Sequence, residues 1–480
     1  MLISRLHMET SEWDQACRDL LKARQLQLRI VGKGTTLREG INFAEEKKLA
    51  AIICQQLAEL YANSRDWNKA IELFKEAISH NERDSKSHLS LAGIYASLGK
   101  LQFCDQQCHQ VLLFDPNNND ATLLLADLMY QKNEGEEAMK HFAQLLERNP
   151  SHYHALARYI ELCWRRGNLE LGEKMLRNAL ESNPRATVDA GFNFCKGLIE
   201  WYTGEPNSAL QAFNRARRDL EWGERALYNM IEICLNPDNE IMGVENSEQQ
   251  LTVEEANEAN ESYRAADRFF HELRHKSMLD RRYKLIENFI LLASPNRVNL
   301  QRALTNFLDM SKTEGEANVS AGAILGSARA MIIMKQTQKA KLQLKRVLSH
   351  PWSLEEADYL QQCWLLLIDI YINQGKNEQA SNVLRTVLQH NSSCSKAYEY
   401  MGFICEKEQK YFDAAANYEA AWNVCKRRNP GIGYKLAYNY FKCRRLFECI
   451  EVCHEVLKRY PTYPKIKKEI LDKARANIRM

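Results

Sequence analysis

The stretch with the clearest chemical potential is His271-Glu272-Leu273-Arg274-His275. On a helix, two imidazoles four residues apart share one face, and the glutamate between them can act as general base on a zinc-bound water. A catalytic zinc also needs a third protein ligand and a cleft. The flanking residues read instead as the outer helix of a repeat, with Ala265, Phe269 and Leu273 as its buried stripe. Arg274 adds a positive charge beside the histidines, so incidental surface histidines are the stronger reading. Cys449, Cys453 and His454 form a second candidate metal cluster, but the two cysteines fall where a helical repeat needs small core residues. Gly32-Lys33-Gly34-Thr35-Thr36 has the composition of a phosphate loop without its residue order or a preceding strand, and reads as an inter-helix turn. No Gly-x-Ser-x-Gly elbow occurs. The chain is not expected to be an enzyme, and no catalytic residue, metal or cofactor is expected.

The elements that carry these residues follow a repeat. Pro116, Pro150 and Pro184 are spaced by 34 residues. Between them the same offsets recur: Leu91-Ala92, Tyr95, Cys104 and Cys108; Leu125-Ala126, Met129, Ala138 and Phe142; Tyr159-Ile160, Cys163, Gly172 and Leu176. This is the tetratricopeptide (TPR) period, one helix-turn-helix per repeat. Small residues on both helices allow close approach, large ones fill the space between, and each proline ends the second helix. The expected fold is all-α, a TPR solenoid forming a right-handed superhelix of antiparallel helix pairs.

Composition agrees. Hydrophobic residues make up 45% of the 480, enough for a continuous core, while 20 Gly and 10 Pro are too few for a loop-rich protein. Lys+Arg 65 against Asp+Glu 62 argues against electrostatic nucleic-acid binding. The 14 cysteines include no Cys-x-x-Cys pair and read as small core residues of a reduced, intracellular protein. The first residues lack the apolar core of a secretory signal, and the longest apolar run, Asn288–Ala293, is too short to span a bilayer. Neither nucleic acid nor direct membrane insertion is expected.

In chain order, residues 1–30 read as the second helix of a truncated repeat and 31–50 as a connection. Residues 51–186 read as four regular repeats. After Pro184 the register slips by about three residues, and 187–235 holds a TPR-like repeat and the start of the next. Residues 236–262 carry eight acidic residues and no Lys or Arg, and read as an exposed acidic loop leading into a helix near Thr252. A solvated insertion is preferred there over a docking loop for a basic partner. Residues 263–320 read as degenerate helical repeats and 321–464 as four further repeats. Residues 465–480 form a basic capping helix whose Ile466, Ile470, Leu471 and Ala474 face the last repeat. Because the chain starts inside a repeat, it is expected to be the C-terminal part, or a short isoform, of a longer array.

What remains is surface. First helices line the concave face of such an array, and the register projects Tyr130, Trp164, Arg165, Phe403, Tyr434, Tyr438 and Phe441 onto it. Aromatic side chains there can anchor a partner, or can pack against the next superhelical turn or an adjoining subunit. The pattern leaves both open. The Lys/Asn set that clamps a peptide carboxylate in chaperone-type TPR domains is missing from the first full repeats, at Gln55, Glu59, Leu89 and Gly93.

Four non-consensus stretches are more specific: Cys195–Asp219, Ala226–Glu240, Lys396–Trp422 and Tyr460–Ala476. They resemble the C-terminal part of the tetratricopeptide-repeat-21 family, the large TPR subunit of intraflagellar transport complex A, and the resemblance covers essentially the whole chain. It implies a non-catalytic scaffold that supports retrograde ciliary transport, cilium assembly and delivery of membrane proteins to cilia. The implied partners are the other complex A subunits, built of WD40 and TPR segments, and ciliary cargo or adaptor proteins. The implied location is the cytoplasm and the cilium, at axoneme and basal body. The alternatives are a free TPR adaptor or co-chaperone binding a peptide in its groove, and a metal-dependent hydrolase resting on His271 and His275.

Overall fold

The structure is a computed structural model, and it describes residues 13–33, 43–236, 253–273, 281–294, 296–312, 320–350, 352–354, 356–461 and 463–478. Among these, every regular element is a helix, and no helix is long and apolar enough to cross a membrane.

Helix α1 (Trp13–Lys33) stands alone as a second helix. The next pairs are α2/α3 (Phe43–Asn63, Trp67–His80), α4/α5 (Ser85–Ser97, Leu101–Phe114) and α6/α7 (Asn119–Gln131, Gly135–Arg148). They form one compact unit, Met1–Arg148. A second unit, Asn149–Met480, begins with α8/α9 (Tyr153–Arg165, Leu169–Ser182) and α10/α11 (Ala190–Tyr202, Pro206–Ala216). It continues with α12/α13 (Gly223–Leu235, Val253–Leu273), α14/α15 (Arg281–Ala293, Arg297–Lys312) and α16/α17 (Ala321–Ile333, Thr337–Arg346). The last pairs are α18/α19 (Ala357–Asn373, Asn377–His390), α20/α21 (Ser395–Lys407, Tyr411–Val424) and α22/α23 (Pro430–Lys442, Leu446–Arg459).

The repeat is written into the turns as well as the core. Two residues before each of nine second helices, one residue adopts a left-handed conformation: Arg65, Gly99, Asn133, Gly167, Gly204, Lys335, Gly375, Gln409 and Arg444, all with φ between 61° and 80° save Arg444 at 59°. At Gly99, for example, the turn is tied back to the helix before it, the Lys100 amide donating to the Tyr95 carbonyl at 2.9 Å. Such a tie satisfies carbonyls that the helix end would otherwise leave bare. The marker residues step by 34 from Arg65 to Gly167 and then by 37 to Gly204, which is the register slip read from the sequence.

The packing positions hold. Ala92, Ala126, Cys104, Cys108, Ala138, Phe142, Cys449 and Cys453 are fully buried. At Gly172 an added Cβ would lie 3.2 Å from Ile160. Ile466, Ile470, Leu471 and Ala474 are buried in the core cluster of the last repeats, so the terminal helix seals that end.

One boundary and one buried face differ from the sequence reading, while the helix expected near Thr252 is present from Val253. The helix expected from residue 51 already begins at Phe43, and α1 runs to Lys33, so the 31–50 connection is much shorter and Gly32 and Lys33 lie in helix. The second half of the acidic 236–262 segment belongs to α13; residues 237–252 lie outside the described residues. On α13 the buried stripe is Ala266, Phe270 and Leu273, while Ala265 and Phe269 are half-buried. The helix is rotated by about one residue from the expected face because Ala266 and Phe270 enter a cluster with Ile231, Tyr283 and Ile286.

Candidate partner-binding surface

Each projected groove residue lies on a first helix, but the seven divide by burial. Tyr130, near the end of α6, is 3% exposed. Arg165, the last residue of α8, is also 3% exposed. These two are corrections to the projected groove, since neither offers its side chain to a partner in this conformation. Trp164, Phe403, Tyr434, Tyr438 and Phe441 are half-buried.

Arg165 is held by groups nearly two hundred residues away. Its Nη2 donates to Asp358 Oδ1 at 2.7 Å and lies 3.5 Å from Glu161 Oε1. The guanidinium sits over the rings of Trp164 and Trp352 at 5.4 and 5.9 Å. Its carbonyl accepts from the Ser392 amide at 2.8 Å and the Ser392 hydroxyl at 3.3 Å. Trp164 stacks on Tyr202 of α10 at 4.3 Å, and Trp352 stacks on His390 at 4.1 Å. Burial, with the nearby Arg165 charge, pushes the His390 imidazole below its ordinary value of 6.5. Two further ties join the same two stretches: Lys426 Nζ to Glu173 at 3.0 Å, and Arg428 Nη1 to Glu205 at 2.5 Å and to the Thr203 carbonyl at 3.3 Å. The second unit therefore closes a superhelical turn on itself. Arg165 fills the role of packing against that next turn, while Trp164 packs on the neighbouring repeat.

The other aromatics cluster near the C-terminal end. Tyr434 donates to Glu469 Oε2 at 2.6 Å, which raises its phenol to about 12. Lys442 Nζ lies 5.3 Å from the Tyr438 ring, and Lys407 Nζ 5.2 Å from the Phe403 ring. Tyr434, Tyr438 and Phe441 pack on the last core cluster with one side and leave the other to solvent.

A set of inward-facing groups on the first helices of the second unit was not found from the sequence. Arg225 (α12) lies over Phe194 and Trp222 at 5.5 and 5.6 Å, with Nη1 3.5 Å from His154 Nδ1. Arg282 (α14) lies over Tyr228 at 4.4 Å and 3.8 Å from Glu232 Oε1. Tyr359 (α18) donates to Glu232 Oε1 at 3.3 Å and stacks on Phe289 (α14) at 6.1 Å. Arg329 (α16) lies over Phe289 at 6.0 Å and donates to Gln362 Oε1 at 2.9 Å. Glu232 keeps 41% of its side chain accessible, yet protein surrounds it closely enough that desolvation raises its carboxyl. The available signal was a charge set inside an apolar run of a first helix: Glu232 within MIEICL and Arg329 within GSARAMII.

The described members of the metal candidates are engaged by other groups. His271 faces Asp267 at 3.6 Å, and Glu272 is engaged by Arg217 at 3.2 Å, so it is not poised as a base; His275 lies outside the described residues. Cys449 and Cys453 turn into the core, while His454 turns outward to Arg475 Nη2 at 2.9 Å. Cys54, Glu76 and His80 also converge. There the guanidinium of Arg24 already grips the Glu76 carboxylate through Nε and Nη2, and burial raises the Cys54 thiol to about 12. The Arg24 cation already neutralises the Glu76 carboxylate there, and burial disfavours the Cys54 thiolate.

Stacked helix pairs with a half-exposed inner face define a helical-repeat scaffold, a class that works by presenting surface. Three domain models of one family match the chain: the tetratricopeptide repeat protein 21 fourth ARM domain at residues 1–78, its fifth ARM repeats domain at 119–235 and its C-terminal ARM domain at 265–475. A general tetratricopeptide repeat model matches residues 56–102. Tetratricopeptide repeat protein 21B of Homo sapiens is 43% identical over 485 residues, covering 100% of this chain and 37% of the relative. The tetratricopeptide repeat protein 21 homolog of Caenorhabditis elegans is 42% identical over 481 residues, covering 100% and 36%. The chain belongs to the tetratricopeptide repeat protein 21 family, and it spans a little over a third of the length of these relatives.

Proposed function

We propose that this chain is a non-catalytic scaffold segment of intraflagellar transport complex A. It supports retrograde ciliary transport, cilium assembly and delivery of membrane proteins to cilia through protein–protein binding on its repeats. Its partners are the other complex A subunits and ciliary cargo or adaptor proteins, and it works in the cytoplasm and at the axoneme and basal body. The observation that carries this reading is the family match along the chain. The geometry supports the mechanism: a turn of solenoid closed by the buried Arg165 and by exposed ion pairs at Lys426 and Arg428 loses little further conformational freedom on docking, which lowers the cost of binding. Phe403, Tyr434, Tyr438 and Phe441, half-exposed on α20 and α22, are the anchors proposed for a partner.

The test is affinity capture of the tagged 480-residue chain from ciliated cells at moderate salt, with mass spectrometry of what is retained. Recovery of the complex A subunits together is expected. Recovery of chaperones alone would sink the complex A reading in favour of a free adaptor.

A further inference from the structure

Arg225 and Arg329 stand apart from the other inner arginines. Arg165 and Arg282 are each matched to a carboxylate, Asp358 and Glu232. Among the described residues neither Arg225 nor Arg329 forms an ion pair; their contacts are His154, Gln362 and the faces of Phe194, Trp222 and Phe289. Both are half-buried rather than sealed, so a ligand can reach them. Desolvation disfavours the charge of each, a cost that an added carboxylate would offset. A chain of contacts runs from Arg282 to Arg329: Arg282 meets Glu232, Glu232 meets Tyr359, and Tyr359 and Arg329 share Phe289. Arg225 lies on α12, the helix that carries Glu232, near enough to Arg282 for the two charges to repel. The charges of this inner face are also unequal. Arg158, Arg165 and Arg282 share the carboxylates of Glu161, Glu232 and Asp358, and Arg225 and Arg329 add two guanidiniums with no carboxylate of their own.

We infer that this band on the inner face of the second unit is a receptor for an extended acidic peptide segment, with Arg225 and Arg329 each taking an Asp or Glu carboxylate of the partner. The planar guanidinium suits a bidentate carboxylate, and the ring beneath each one fixes its orientation. Side chains from α12 and α18 meet across the groove at Tyr359 and Glu232. That favours an extended chain laid across successive helices over a bulky duplex or a helix of 10–12 Å diameter. The inference rests on the partner-binding reading above and specifies the chemistry of one partner segment.

Fluorescence anisotropy of the 480-residue chain with a fluorescein-labelled Glu-Ser repeat peptide tests it, with the Gln-Ser repeat peptide as control. The acidic peptide is expected to bind, to weaken as KCl is raised, and to lose about tenfold in affinity in Arg225→Gln and again in Arg329→Gln. Arg444→Gln, in an exposed turn of the last repeat, should leave binding unchanged. Arg329→Met keeps the volume and removes the charge, so it serves if the Gln variant does not fold. Equal binding of the Gln-Ser peptide overturns the proposal, as does equal binding by the double variant Arg225→Gln/Arg329→Gln or an Arg444→Gln loss as large as that of Arg329→Gln. The two readings fail separately. Peptide binding without capture of complex A subunits removes only the complex assignment; capture without acidic-peptide binding removes only this inference.

Discussion

The two units are built from one repeat and are stabilised over different ranges. In the first, side-chain pairs act within a repeat or between successive repeats: His88 to Gln107 within one, Arg24 to Glu76 and Lys132 to Asp105 between neighbours. In the second, Arg165 to Asp358, Ser392 to Arg165, Lys426 to Glu173 and Arg428 to Glu205 add ties across 193 to 253 residues. Nearest-neighbour packing makes stability a sum of local terms, and damage stays where it is made. A closed turn couples repeats that are distant in sequence, so one side chain is felt at both ends of the closure.

The largest expected effect tests the local case. Ala138 is fully buried between α6 and α7, and Ala138→Trp should destabilise by about 1–3 kcal/mol through overpacking. Amide hydrogen exchange should quicken in α5 to α7; an unchanged melting temperature would contradict the register. In the second unit, Arg165→Ala should cost about 2 kcal/mol by breaking a buried polar network. The freed Asp358 is 57% exposed and rehydrates readily, which keeps the cost from rising higher. The sharper readout is spatial: exchange should quicken in α8 and also in α18 to α20. Protection lost in α8 alone would mean that the closure contributes no coupling.

The closure is also expected to respond to acid. His390 stacks on Trp352 and Trp364 near the Arg165 guanidinium, and its folded value lies below the ordinary 6.5. The unfolded chain therefore binds a proton more readily, so stability from this site is complete above pH 6.5 and is lost as pH falls through the lower folded value. Thermal melts between neutral and mildly acidic pH should show this loss, and His390→Gln should flatten it. An identical pH profile in wild type and variant would rule out His390 as its source.

The smallest effects sit in the turns and apply to both units. Gln409 and Arg444 hold φ of 62° and 59° with a Cβ present, so Gln409→Gly and Arg444→Gly should each stabilise by about 0.5–1 kcal/mol. Gly99, at φ 69° with open space around it, should lose a similar amount, about 1 kcal/mol, as Gly99→Ala. Denaturant midpoints measure both. Stabilisation by Gly99→Ala would show that the turn is not under left-handed constraint.

Local rules were legible. The small residue at the helix crossings, Pro116, Pro150 and Pro184 after their second helices, and the apolar face of the terminal helix are steric requirements that a short window displays. The slip before Gly204 was legible because one misplaced turn shifts every later offset. Rotation of a single helix was not: Ala265/Phe269 and Ala266/Phe270 are equally good apolar pairs, and contact with Ile231 and Tyr283 chose between them. The start of α2 at Phe43 was missed because Glu45 to Lys48 is a charged stretch that carries no apolar period.

The candidate surface divides in the same way. Sequence placed Tyr130, Trp164, Arg165, Phe403, Tyr434, Tyr438 and Phe441 on first helices, because a 34-residue register fixes which helix a residue joins. It could not tell accessible positions from occupied ones. That depends on a small rotation per repeat, which accumulates until α8 meets α18 and carries Arg165 from an inner face into a buried contact with Asp358. The convergence of Arg225, Glu232, Arg282, Arg329 and Tyr359 has the same origin. By itself the sequence determined the repeat, its helix pairs and the family; the tertiary structure alone decided which inner residues are consumed in closing the turn and which remain to meet a partner, because those contacts join residues that share no local pattern.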